Sequence, residues 1–158
     1  MPPLRRPPAI LAVLGGGAAG AVLFMLYMVI YSGVRGVPAC RILQAVASGV
    51  LGGAAFEAGG WTVALGALLH LLLVLAMAAA FYGAGALLRP LRRWPLLWGP
   101  LYGFGLYVLM YRVVLPYSAY PFPVAILPWS YFWANVAAHA GLGSLIALAA
   151  WWARRGPG

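Results

Sequence analysis

The chain has 158 residues, 65% of them hydrophobic and only 7% charged, where an average soluble domain carries about 25% charge. Its ten basic residues, all arginine, are set against a single acid, Glu57, for a net charge of +9. So little charge excludes a water-soluble domain. The arginines are grouped at the ends of apolar runs, which suits a membrane boundary and argues against a nucleic-acid face. The lone cysteine, Cys40, excludes an internal disulfide and any multi-cysteine metal site.

A hydrocarbon core about 30 Å thick takes about 20 apolar residues in a helix. The first run, 9–31, reaches that length without a charge. Arg5 and Arg6 precede it as they would a signal peptide, but it is longer than the roughly 7–15 apolar residues of such a segment, so it is expected to be a retained helix. In 39–56, Ile42, Leu43, Val46, Val50 and Leu51 recur at helical spacing while Arg41, Gln44 and Ser48 group on another side. This pattern predicts a helix lying in the outer interface. The alternative is a re-entrant hairpin broken at Gly52 and Gly53, which needs shelter from lipid for its backbone.

The second spanning run is 62–88, interrupted by His70, and the third is 96–115, with Arg112 near its end. From Pro116 to Pro128 four prolines alternate with Tyr117, Tyr120 and Phe122, which predicts a non-helical outer loop. The fourth run, 131–153, carries Asn135 and His139. Trp129, Tyr131, Phe132 and Trp133 mark one of its boundaries and Trp151 with Trp152 the other, as aromatic belts do.

The expected fold is all-α: one polytopic domain over 1–158, a four-helix transmembrane bundle with an interfacial outer helix. Arg5, Arg6, Arg89, Arg92, Arg93, Arg154 and Arg155 fall on one side of such a bundle, and Arg35, Arg41 and Arg112 with Glu57 on the other. The excess predicts that both termini and the middle loop are cytoplasmic. Small residues four apart (Gly16 and Gly20, Gly99 and Gly103, Ala137 and Gly141, Ala140 and Ser144, and the series Ala76, Ala80, Ala84) predict close helix approach. The chain also divides into two halves of similar plan. In each, a His lies eight residues into the descending run, His70 after Thr62 and His139 after Tyr131.

Ionisable residues within hydrocarbon are costly and draw functional attention. Eight residues at 1.5 Å rise put His70 and His139 about 12 Å below the outer boundary. Tyr107 falls at a similar depth, with Tyr111, Asn135 and Tyr27 one layer outward. Three readings compete. In the first, His70, Tyr107, Asn135 and His139 hydrogen-bond across helices and fix the packing. In the second, His70 and His139 are the axial ligands of a b-type haem. In the third, they pass a proton or small cation, although no intramembrane carboxylate accompanies them. Glu57 with Arg41 and Arg112 is expected to form a structural ion pair at the outer end. With one carboxylate in the chain there is no acid pair for glycoside hydrolysis. Ser32, Ser48, Ser118, Ser130 and Ser144 likewise lack an Asp for a catalytic triad.

The stretches QAVASGVLGGAAFEAGGWTVALGALLH (44–70), AFYGAG (80–85) and GPLYGFGLYVLMYRVVLPYS (99–118) resemble small four-helix bacterial inner-membrane proteins of unknown function, the YagU-like group. The resemblance covers roughly the middle half of the chain. It implies a bacterial inner membrane and a four-helix body, and brings no catalytic or binding residues with it. The expected function is that of a non-catalytic accessory or scaffolding subunit, packed against larger membrane partners or further copies of itself in the lipid bilayer, with no cofactor. The alternatives are a di-histidine haem b electron-transfer protein and a proton or small-solute channel or carrier.

Overall fold

The computed structural model describes residues 9–123 and 128–154. Arg5, Arg6, Arg155 and part of the proline-rich outer segment lie outside these residues. The described residues are helical and contain no strand. In order they form α1 (Ala9–Gly33), α2 (Ala39–Leu51), a 3₁₀ turn (Gly52–Phe56), α3 (Trp61–Leu87), the short α4 (Arg89–Arg93), α5 (Pro95–Leu109), a π turn (Met110–Val114), α6 (Leu115–Tyr117) and α7 (Trp129–Arg154).

By length and composition four segments could cross a membrane: Val13–Gly33, Ala39–Phe56, Trp61–Leu87 and Trp129–Arg154. This set differs from the expected spans in two places. The run expected over 96–115 is helical throughout, but its hydrogen bonding changes at the π turn, where the Leu115 N–H reaches back to the Met110 carbonyl. Pro116 accounts for the change, because a proline has no N–H to give the carbonyl four residues back and its ring crowds that carbonyl. The segment Ala39–Phe56 is apolar enough to be counted, yet it leaves and rejoins the bundle at the same end.

That end is fixed by the pairing of the helices. Against α3, Gly17 of α1 meets Leu75 and Ala78, while Ala21 and Phe24 meet His70. Against α7, Gly16 meets Ala149, Gly20 meets Leu142 and Ser32 meets Tyr131. Rising numbers on α1 face falling numbers on both neighbours, so α1 is antiparallel to α3 and to α7. Gly99 meets Ser144 and Gly103 meets His139 and Ala140, which makes α5 antiparallel to α7 as well. The close of α1 and the start of α3 therefore lie at one end, together with α2, α6 and the start of α7. Arg89, Arg92, Arg93 and Arg154 lie at the other.

Helix α7 is the centre of the bundle and packs on α1, α3 and α5. Its Leu142, Ile146, Ala147 and Ala150 form the core with Ala21 of α1, Val74, Met77, Ala78 and Phe81 of α3, and Leu106 of α5. Between apolar helices in lipid, association comes from packing, so backbones must approach closely. The α5–α7 contact does this. A Cβ on Gly103 would overlap the His139 carbonyl, and one on Gly143 would overlap the Gly99 carbonyl.

Of the expected small-residue pairs, Gly16 with Gly20, Gly99 with Gly103 and Ala140 with Ser144 are at helix contacts. The others are not: Ala137 and Gly141 are exposed, and so are Ala76 and Ala80, because Val74, Met77, Ala78 and Phe81 take the inward side of α3.

Candidate functional site

The intrahelical polar groups gather around α7. Asn135, almost wholly buried, donates through Nδ2 to the Tyr131 carbonyl one turn earlier at 2.9 Å, and its Oδ1 accepts from the Tyr111 hydroxyl at 3.0 Å. One turn further, His139 Nδ1–H donates to the Asn135 carbonyl at 2.8 Å. The imidazole is enclosed by three rings, with centroids at 4.8 Å for Phe24, 5.6 Å for Tyr107 and 6.5 Å for Tyr111. Toward the end that holds α2, the Tyr131 hydroxyl meets Ser32 Oγ of α1 at 3.1 Å.

The π turn helps to build this site. It carries Tyr111 at its second position and keeps it 4.6 Å from the Tyr107 ring, so both tyrosines face α7. Single π turns within α-helices recur where a side chain must be re-aimed.

His70 reaches the same region from α3 with a different partner. Its Nε2–H donates to the Ala21 carbonyl of α1 at 3.0 Å, and its ring lies 5.6 Å from Phe24. A carbonyl only accepts, so the bonded nitrogen carries the proton in each case: Nε2 in His70 and Nδ1 in His139. The two histidines, matched in sequence position, are thus bonded through opposite nitrogens. His70 ties α3 to α1, while His139 bonds within its own helix and is held by rings from its neighbours.

Of the expected intramembrane group, Tyr107, Asn135 and His139 are together, Tyr111 joins them, and His70 meets them through Phe24. Tyr27 is not part of the cluster, being partly exposed and stacked on Tyr31 at 6.0 Å. A six-coordinate haem puts one imidazole on each face of its macrocycle. In this structure the Phe24 ring packs against both imidazoles, its centroid 5.6 Å from that of His70 and 4.8 Å from that of His139. Among the described residues no group of three or more His, Cys, Asp or Glu side chains is placed to hold a metal ion.

The arginines at the α2 end are engaged differently from the expected ion pair. Arg41 Nη1 donates to the Phe56 carbonyl at 3.3 Å, with its guanidinium 5.5 Å from the Phe56 ring. Glu57 and Arg112 are exposed, and among the described residues no salt bridge joins Glu57 to Arg41 or Arg112. A carboxylate and guanidinium that both reach water gain little from holding one geometry. Arg35 donates to the Tyr31 carbonyl at 2.9 Å and lies 3.7 Å over that ring.

Helix α2 also turns its polar side unexpectedly. Gln44 and Ser48 are buried while Val50 is exposed. Gln44 Nε2 donates to Thr62 Oγ1 at 3.4 Å, and the Thr62 hydroxyl reaches the Ala55 and Gly59 carbonyls at 2.8 Å each.

Phe24 and Tyr102, whose hydroxyl donates to the Met77 carbonyl at 2.8 Å, join the framework without having been singled out in the sequence, while Tyr131 stands out there only as a boundary aromatic and Ser32 only as a serine without a triad partner. Tyr102 and Ser32 carried a readable signal as polar groups within or at the end of apolar runs. Phe24 carried none. No protein-family model, curated protein or solved structure matches the chain.

Proposed function

We propose that this protein is a non-catalytic subunit of the bacterial inner membrane that packs against larger membrane partners or further copies of itself. Its four spans are α1, α3, the continuous α5–α6 helix and α7. One observation carries the reading: apart from the buried Tyr31 hydroxyl, which has no hydrogen-bond partner, the buried polar side chains between these helices are taken up by the bundle's own backbone and by one another. Asn135, His139, His70, Tyr102 and Tyr111 all bond internally. The links also alternate between side chains and backbone carbonyls, as where Asn135 bonds the Tyr131 carbonyl. Carbonyls hold a structure but do not hand on protons, which favours packing over a relay.

The outward sides offer partners Leu23, Leu26 and Ile30 on α1 and Leu97, Leu101 and Phe104 on α5, all exposed. The excess of arginine at the end holding Arg89, Arg92, Arg93 and Arg154 supports a cytoplasmic assignment for that end. Helix α2 is read as an in-plane outer helix, because it meets α3 at Thr62 and Gly66, within the first turns of that helix.

The test is extraction of the native membrane into polymer-bounded lipid discs, with the size and composition of the isolated particle determined. A particle holding a second subunit, or several copies of this chain, in fixed stoichiometry is expected. A lone monomer contradicts the proposal, and a Soret band in the same sample moves the histidines to a haem site.

A further inference from the structure

Among the described residues, the arginine-rich end of the bundle has no carboxylate side chain. Arg89, Arg92 and Arg93 lie in the short α4, Arg154 lies in the last turn of α7, and the only carboxylate side chain of the protein, Glu57, is at the opposite end. Two of these arginines converge on one glycine. A Cβ built on Gly85 would stand 3.7 Å from Arg154 Nη2 and 3.7 Å from Arg92 Cγ.

Arg154 is held in place. Its guanidinium lies 3.9 Å over the Tyr82 ring and donates through Nη2 to the Tyr82 carbonyl. A guanidinium has five N–H donors, so this bond orients the group and leaves others to offer. Arg92 and Arg154 border a shallow cleft of about 10 Å³ whose further walls include Phe81, Leu91, Ala147 and Ala150. Paired guanidinium donors match phosphate geometry, and basic pockets between spanning helices on the cytoplasmic side suit lipid headgroups.

We infer that Arg92 and Arg154, at the mouth of this cleft, hold the headgroup phosphate of an anionic phospholipid, with its acyl chains against the exposed Leu87 and Leu88 at the same end. Uncompensated charge beside exposed apolar residues favours a lipid over a free anion, which has nothing to place on Leu87 and Leu88. The inference rests on this end of the bundle meeting the membrane surface.

Native mass spectrometry of the detergent-solubilised whole chain, titrated with phosphatidylglycerol or with phosphatidylcholine of the same acyl chains, provides the test. The first phosphatidylglycerol is expected to bind at least about five-fold tighter than the first phosphatidylcholine. Arg92 is exposed, so Arg92→Gln should keep the fold and reduce that preference about five-fold, in line with one basic contact to an anionic headgroup. Arg93, beside the Trp94 ring at 5.8 Å, is the control, and Arg93→Gln should keep the preference.

Equal binding of the two lipids overturns the inference, as does an unchanged preference in Arg92→Gln. An equal loss in Arg93→Gln overturns it too, because diffuse charge would then suffice. Displacement of phosphatidylglycerol by inorganic phosphate overturns it in favour of a free-anion site. Release of the chain from membranes by alkaline carbonate would instead defeat the membrane reading beneath it.

Discussion

Asn135 is the residue on which the central polar contacts meet, since its side chain bonds Tyr111 and the Tyr131 carbonyl while its own carbonyl receives His139. Asn135→Ala is expected to cost about 1–2 kcal/mol, because it removes two hydrogen bonds and leaves the Tyr111 hydroxyl unpaired among apolar groups. Denaturant unfolding in mixed micelles reads this, and Tyr111→Phe should add little in the Asn135→Ala background, as expected of two residues sharing one bond. Full additivity would separate them. Gly103 and Gly141 make a second pair for comparison. A Cβ at Gly103 meets the His139 carbonyl, whereas nothing lies within 4 Å of one at Gly141. Gly103→Ala should therefore destabilise by about 1–3 kcal/mol through overpacking, and Gly141→Ala should be neutral or slightly stabilising, since Ala is the better helix former. Equal effects of the two would contradict the packing described for α5 and α7.

Among the elements, the joint between α2 and α3 is narrow and specific. The Leu43 backbone lies against Gly66, where a Cβ would overlap the Leu43 carbonyl. The Ala119 N–H donates to the Gly49 carbonyl at 2.9 Å, so the outer connection after α6 is tied to α2 as well. Gly52, at φ +61, ends α2 in a conformation that glycine adopts without strain. Gly66→Val is expected to pry α2 from α3, raising hydrogen exchange across 39–56 while 129–154 keeps its protection. A uniform rise across both segments would mean that α2 is part of the main bundle's cooperative unit.

These elements also show what could be read from sequence. The four long runs were legible because a bilayer demands length, whereas the end of α2 was not: the helix expected over 39–56 stops at Leu51 and a 3₁₀ turn follows. Which way each helix faces was not. A helix that touches lipid on one side and protein on the other is apolar all round, so the 3.6-residue alternation that marks the inner side of a soluble helix is missing. Phe24 is invisible in sequence for that reason, and Ala76 and Ala80 look like a contact stripe though they point outward. Tyr107, Asn135 and His139 could be found because polar groups stand out in an apolar run. The polar side of α2 was legible as a side, but it faces Thr62 instead of water, and only the fold supplies that partner.

For the whole molecule, charge and topology agree. Helix α1 opposes α3, α5 opposes α7, and the described arginines divide into four at one end and three with Glu57 at the other. The subunit role, the lipid site and the inside position of Arg92 and Arg154 all depend on α1, α3, α5–α6 and α7 crossing the bilayer with α2 on the outer side. The native Cys40, exposed at the start of α2 and the only cysteine in the chain, reports on this directly. Intact spheroplasts are treated with a membrane-impermeant maleimide, with Gly158→Cys in a Cys40→Ala background as the opposite-side probe. The account predicts that Cys40 labels before lysis and the cysteine at position 158 only after it. Labelling of Cys40 only after lysis would contradict the predicted orientation, and labelling of both positions on one side would contradict the four-span topology.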